Sequence, residues 1–219
     1  MNIHSLHHYL TNLSESEEHY RSGYPFSGWS QLPKVQIHGR EMYRMFPDNL
    51  IFSSMHGENP VSSQNFDIPV GLQDISIKRN SRFNPVPEHV HSHIEINYVY
   101  SGTCPQYIDG KPVLLKKDQV LLIDTDCPHS IDALGENDIM ISMLIRKEFL
   151  RDRMFSQFSK DSVLSRFFVN ALTEQTDHDH YLLFHSEKDR RIPYFSQNYS
   201  VNFWIPRSIP EILFFIYFI

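Results

Sequence analysis

Between about Gln73 and Arg146 the chain alternates short apolar runs with polar turns. DISIKRN places Ile75 and Ile77 between polar neighbours, the pattern of a half-buried strand. IEINYVY (Ile94 to Tyr100) is β-branched and aromatic and ends at Ser101-Gly102, a turn signal. QYIDGKPVLL reads as two strands around Asp109-Gly110, a dipeptide suited to a tight hairpin. QVLLIDT, HSIDA and DIMISMLI continue the rhythm. About seven strands with a turn every 8 to 12 residues predict an antiparallel sandwich or barrel.

The pattern changes after Arg146. KEFLRDRMF and SVLSRFFVNAL carry apolar residues at helical spacing, with Val163, Phe167 and Ala171 near one face and Leu164 and Phe168 beside it. In IEINYVY both strand parities are largely apolar, which predicts cover on both faces, by these helices or by a second subunit. The Val163 to Ala171 stripe therefore packs on its own barrel or forms a dimer contact. Residues 1–70 form an extension of mixed helix and loop. Within it Ser14 and Glu17 fit a capping box, and Arg40 to Phe46 has helical spacing that stops at Pro47. Residues 190–219 lose all periodicity, gather aromatics and prolines, and end on ILFFIYFI. The four expected segments are thus 1–70, a barrel over 73–146, linker or dimerisation helices over 147–188, and an atypical apolar tail over 190–219.

With 219 residues the chain has room for one full core. Its 20 Lys and Arg stand against 26 Asp and Glu, a formal charge of −6, and no basic stripe is visible. Phosphate contacts dominate DNA affinity, so this chain alone is a poor DNA binder. Cys104 and Cys127 show no CxxC and no ribbon spacing, which argues against a disulfide framework or zinc finger and leaves two inert small hydrophobes. The N-terminus lacks a signal-peptide pattern, and no apolar run reaches the roughly 18 residues of a membrane span. The expectation is a cytoplasmic protein.

The chemistry concentrates at His89-Val90-His91-Ser92-His93-Ile94-Glu95, with Gly102 six residues on: H-x-H-x3-E-x6-G. Pro128-His129 closes a later strand. Three imidazoles and a carboxylate (His89, His91, His129 and Glu95) form a ligand set suited to first-row divalent metals. On one straight strand His89 and Glu95 would lie about 20 Å apart, so a shared site needs a chain reversal near Ser92-His93, where no Gly or Pro marks one. Three readings stay open: a metal held by these four residues, a metal-free polar pocket in which they contact a ligand, or purely structural histidines. His129 after Pro128 is read equally well as backbone-satisfied. His4, His7 and His8 at helical spacing are read as a surface helix face.

These residues carry a resemblance. The pattern from His89 resembles the first cupin motif, and Asp118 to His129 resembles the second. The order PEHVHSHIEINYVYSG, QYIDGKPVLLKKDQVLLIDTDCPHSI, IMISMLIRKEF is similar to the N-terminal sensor domain of AraC-type transcription regulators, and KEFLRDRMF, SVLSRFFVNAL and HYLLFHS are similar to that family's linker helices. The resemblance spans about residues 73–188. It implies a mainly β, cupin-type jelly-roll barrel with flanking helices. It also implies a small-molecule effector (a sugar from the family), a likeness to homodimers, no catalysis and no cofactor. Phe83, Asp118 and Ala133 stand where the cupin pattern has Gly, Gly and Asn, which is tolerable at Phe83 and Asp118 if the backbone keeps negative φ. Family members that bind DNA carry two helix-turn-helix units after the linker helices. No such pattern follows Phe184, so a truncated or frame-shifted regulator is expected, with DNA contacted only through a domain this chain lacks. The alternative is a metal-dependent cupin enzyme, an isomerase or dioxygenase, with the same four residues as ligands.

Overall fold

A computed structural model describes residues 3–45, 75–154, 163–173 and 179–185. Two sheets face each other. One has six strands in the order β1-β2-β4-β9-β6-β7, and the other has five, β11-β8-β5-β10-β3. The strands are β1 (Lys34–Ile37), β2 (Arg40–Arg44), β3 (Ile75–Arg79), β4 (Val86–Val90), β5 (His93–Ser101), β6 (Thr103–Ile108), β7 (Lys111–Lys116), β8 (Val120–Ile123), β9 (His129–Ile131), β10 (Ile139–Arg146) and β11 (Tyr181–Phe184). All pairs are antiparallel except β2 with β4. This is the expected jelly-roll barrel of cupin type with flanking helices. The β6–β7 hairpin turns at Asp109-Gly110, both at positive φ (46° and 75°), the conformation a two-residue turn requires.

The doubly apolar β5 is explained by its two covers. Ile94, Ile96 and Tyr98 face outward into one apolar cluster with Val120, Leu122, Ile141 and Met143. Over this cluster lie Leu10 of helix α1 (Ile3–Thr11), Phe149 and Leu150, and Leu164, Phe167, Phe168 and Ala171 of helix α3 (Val163–Thr173). The stripe at Phe167 and Ala171 therefore packs on its own barrel. Val163 alone points away, 55% exposed. Burying a side chain such as Phe168 stabilises by roughly 1.5–3 kcal/mol, and these contacts fix α3 to the sheet. The opposite parity of β5 looks between the sheets, where Val99 packs with Cys104, Ile108, Leu115, Leu121, Ile123 and Met140.

Helix α2 (Glu15–Arg21) opens with the predicted capping box: the Glu17 amide donates to Ser14 Oγ, and the Ser14 amide to Glu17 Oε2. Other expectations are corrected. Arg40 to Arg44 is a strand, not a helix, because pairing with β1 and β4 overrides an ambiguous short pattern. Tyr181 to Phe184, read within the linker helices, pairs antiparallel with β8. Lys147–Phe149 is one helical turn that runs into a π-turn, Leu150–Met154. Phe83 and Asp118 do not keep negative φ: they sit at 63° and 64°, the glycine-like conformation without glycine, at a local cost. Residues 190–219 lie outside the described residues.

Candidate functional site

Strand β4 ends at Val90 and β5 begins at His93, so the chain reverses at His91-Ser92. The reversal is pinned from outside by the Asp126 amide, which donates to the His91 carbonyl at 2.8 Å. No glycine is needed. β4 and β9 pair His89 directly with His129, bringing their ring centroids to 4.1 Å. Glu95 comes from β5 in the facing sheet. The four predicted residues, His89, His91, Glu95 and His129, thus meet inside the barrel, with one donor atom of each within 4.8 Å of the others. All four are buried, between 1% and 3% exposed. His93, next in sequence, is buried beside His91 at 6.4 Å between rings but stands outside this group.

The hydrogen bonds orient the rings. Nδ1 of His89 faces the Pro87 carbonyl at 2.9 Å, Nδ1 of His91 the His93 carbonyl at 3.0 Å, and Nδ1 of His129 the Cys127 carbonyl at 2.8 Å. A carbonyl only accepts, so each Nδ1 carries the proton and donates. In the neutral ring Nε2 is then a lone pair. Yet Nε2 of His91 and of His129 lie 2.9 Å and 3.2 Å from the same oxygen, Glu95 Oε2. Each ring is therefore held between two acceptors. A second proton on the ring or a cation beside Nε2 satisfies both contacts, whereas a proton on Glu95 Oε2 would serve one ring at a time.

Burial works against the second proton. It pushes the His89 imidazole well below its ordinary value, helped by the neighbouring His129 and His91. Burial also lowers His91, against the pull of Glu95. Burial raises the Glu95 carboxyl, but His129 and His91 outweigh it and hold it well below the usual carboxylate range. The donor set is three imidazoles, each with Nδ1 held by a backbone carbonyl, around a carboxylate, which suits a divalent first-row ion. The carbonyl partners at Nδ1 are the supports that metal-bound histidines use.

A polar row continues inward from Glu95. Ser142 Oγ lies 3.2 Å from Glu95 Oε1 and 2.5 Å from Asn97 Oδ1, and accepts from Asn80 Nδ2 at 2.6 Å. Asn97 Nδ2 reaches Gln106 Oε1 at 3.4 Å. Lys78 is the register partner of Ser142, so it shares this inner face. Burial lowers its ammonium and the Glu95 charge opposes that. Sequence reasoning missed this row. Its signal was present as Asn97 within IEINYVY and Ser142 within IMISMLI, single polar residues at inward parity in apolar strands. Cys104 and Cys127 are buried free thiols pushed up to about 12 by burial, as their inert reading requires. His7 bonds the Tyr100 hydroxyl and His8 bonds Asn12, which matches a surface helix face for these two.

Comparison with known proteins gives a match over part of the chain. No curated protein matches the sequence. The structure is similar to ToxT of Vibrio cholerae solved with an unsaturated fatty acid (TM-score 0.43, 13% identity, 64% of this chain and 50% of that one). It is also similar to a cupin protein of Bacteroides fragilis (TM-score 0.31, 22% identity, 41% and 75%) and a Cupin 2 conserved barrel domain protein of Leptotrichia buccalis (0.30, 25%, 33% and 35%). The chain spans half the length of ToxT and about a third of the Leptotrichia protein. Residues 77–160 match the AraC-like ligand binding domain, and that matching stretch holds the whole His/Glu cluster.

Proposed function

We propose that the barrel is the effector-binding unit of an AraC-type transcription regulator and not an enzyme, with His89, His91, Glu95 and His129 as the polar contacts of its small-molecule site. The observation that carries this reading is a buried, converging polar cluster inside the segment that matches the AraC-like ligand binding domain. The inward row of Asn80, Asn97, Gln106 and Ser142 favours a hydroxylated effector such as a sugar over an aliphatic chain like the one named for ToxT. In such a regulator the effector shifts the docking of the sensor against its DNA-binding units. The barrel itself takes no part in DNA contact, in keeping with the formal charge of −6. We expect a homodimer in the cytoplasm, built on surface other than the buried stripe of α3; sedimentation velocity tests the dimer.

The test is a thermal-shift screen of sugars and sugar acids against the purified chain. A compound that raises the melting temperature of wild type and not of the His129→Ala variant supports the reading. A hit that stabilises both equally places the effector elsewhere and sinks it.

A second reading is favoured by the rings held between two acceptors: the same four residues hold a divalent metal ion. Bound there, the ion would supply a Lewis acid for an oxygen atom of a ligand. Whether the barrel is then a metal-assisted sensor or a cupin isomerase or dioxygenase is a question of turnover. Near-stoichiometric metal in purified wild type, lost in His91→Ala, supports the metal. Metal content equal in both rejects it.

A further inference from the structure

One aromatic residue outside the matching segment stands against the cluster. The 3₁₀ turn Gly28–Gln31 carries Trp29, whose ring lies 6.0 Å from His89 and 5.7 Å from Tyr43. Phe26 meets it edge-on at 5.9 Å. Tyr43 and His89 are register partners of β2 and β4, and His89 pairs with His129, so all three share one face of the six-stranded sheet. The aromatic wall therefore stands at the histidine end of the barrel. Its seating is specific. The Phe26 amide donates to Asn84 Oδ1 at 2.9 Å, and a Cβ on Gly28 would come within 2.1 Å of the Phe26 ring, so a larger residue there would push that ring aside.

The indole N–H of Trp29 is buried and has no acceptor among the described residues. An indole nitrogen only donates, and a buried donor without an acceptor costs about 1–3 kcal/mol. Native structures keep few such groups, and those kept call for an explanation. Of the neighbouring His89 ring, Nδ1 donates to the Pro87 carbonyl at 2.9 Å.

We propose, building on the reading of the barrel as a small-molecule site, that Trp29 is a ligand-contacting residue. Its indole N–H donates to an oxygen of the molecule that reaches the His/Glu cluster. The ligand class is then an oxygen-bearing molecule with a hydroxyl, carbonyl or carboxylate acceptor, not a cation or a bare hydrocarbon. The residue comes from the extension before the barrel, so ligand recognition needs more of the chain than the stretch that matches the family.

The sequence holds two tryptophans, so Trp204→Phe leaves Trp29 as the sole indole. The test follows the ¹H–¹⁵N indole resonance of that variant during titration with oxalate, lactate and D-glucose, each with and without one equivalent of Zn²⁺. Expected is a saturable downfield shift with at least one probe. Adding Trp29→Phe, with the circular dichroism spectrum unchanged, should weaken that probe about fivefold, the worth of one hydrogen bond. A probe that moves the His129 ring resonances and leaves the indole in place overturns the proposal while the sensor reading stands. An indole shift equally large after Glu95→Gln and His129→Ala puts the contact away from the cluster and also overturns it. If no probe moves either the indole or the histidines, both readings fall.

Discussion

Among the described residues two glutamates are buried, and their surroundings could hardly differ more. Glu17, at 0% exposure, lies where α2 meets the barrel. Arg79 reaches Oε2 at 2.8 Å and Arg82 reaches Oε1 at 2.9 Å, while the backbone amides of Ser14 and Arg82 add two more bonds. The same guanidinium groups gather the carbonyls of Tyr9, Leu10, Thr11 and Asn12 where α1 ends. Glu95 faces imidazoles and one hydroxyl instead. Arginine is always charged, so Glu17 is compensated permanently and its neighbourhood is closed. The imidazoles that face Glu95 are charged only when they carry a second proton, which burial opposes at His91. A carboxylate locked to guanidinium serves structure, whereas the one facing conditional partners is the one proposed to serve binding.

The sharpest way to break this contrast is Glu17→Ala. It removes the centre of a buried network and strands two arginines, which costs about 3–5 kcal/mol for a buried pair that loses one partner. The capping box goes with it. Urea denaturation measures the loss, and a cost below about 1 kcal/mol would show that the clamp is surface decoration.

Metal addition probes the other glutamate. If the cluster binds Zn²⁺, an excess of about 100 times the dissociation constant raises stability by about 2.7 kcal/mol. The increment should vanish in His91→Ala. Wild type with no increment for Zn²⁺, Ni²⁺ or Mn²⁺ rejects the metal reading and leaves the polar-pocket reading in place.

The pair was not equally legible in the sequence. The H-x-H-x3-E spacing announced Glu95 and its histidines, and His129 followed from the second motif. What the spacing could not give was the reversal at His91-Ser92, since it is made by a distant donor, Asp126, and by no local turn residue. The strands β2 and β11 escaped for a related reason. Four or five residues have too little period to separate strand from helix, and their partners across the sheet decide. Glu17 was read only as a capping residue, because Arg79 and Arg82 approach from more than 60 positions away. Trp29 carried no local signal at all. Its place depends on Gly28 letting Phe26 lie close.

Acid separates the two glutamates more gently. Burial opposes the Glu17 charge, but Arg82 and the backbone of Ser14 outweigh it and hold the folded value below the ordinary 4.5. Its stabilisation is therefore complete above that ordinary value and is lost as pH falls through the lower folded one, by at most about 1.4 kcal/mol per pH unit for one proton. Glu17→Gln should flatten the acid limb of a stability curve measured from pH 5 to pH 3. An unchanged limb would assign the acid sensitivity to other carboxylates.

The smallest expected change belongs to Glu95→Gln in metal-free protein at pH 7. The amide oxygen can still accept from Ser142, and the amide nitrogen can donate to the Nε2 lone pairs that the carboxylate only confronts. The substitution removes a buried charge and replaces an acceptor facing acceptors with a donor, so stability should stay within about 1 kcal/mol of wild type or rise. The same variant should lose most of any Zn²⁺ increment, because the amide is a poor substitute for an anionic ligand. A loss of several kcal/mol without metal, comparable to Glu17→Ala, would mean that the imidazoles hold Glu95 as firmly as the guanidinium groups hold Glu17. In that case the cluster would be a piece of architecture, and the distinction between permanent and conditional partners would fail in this protein.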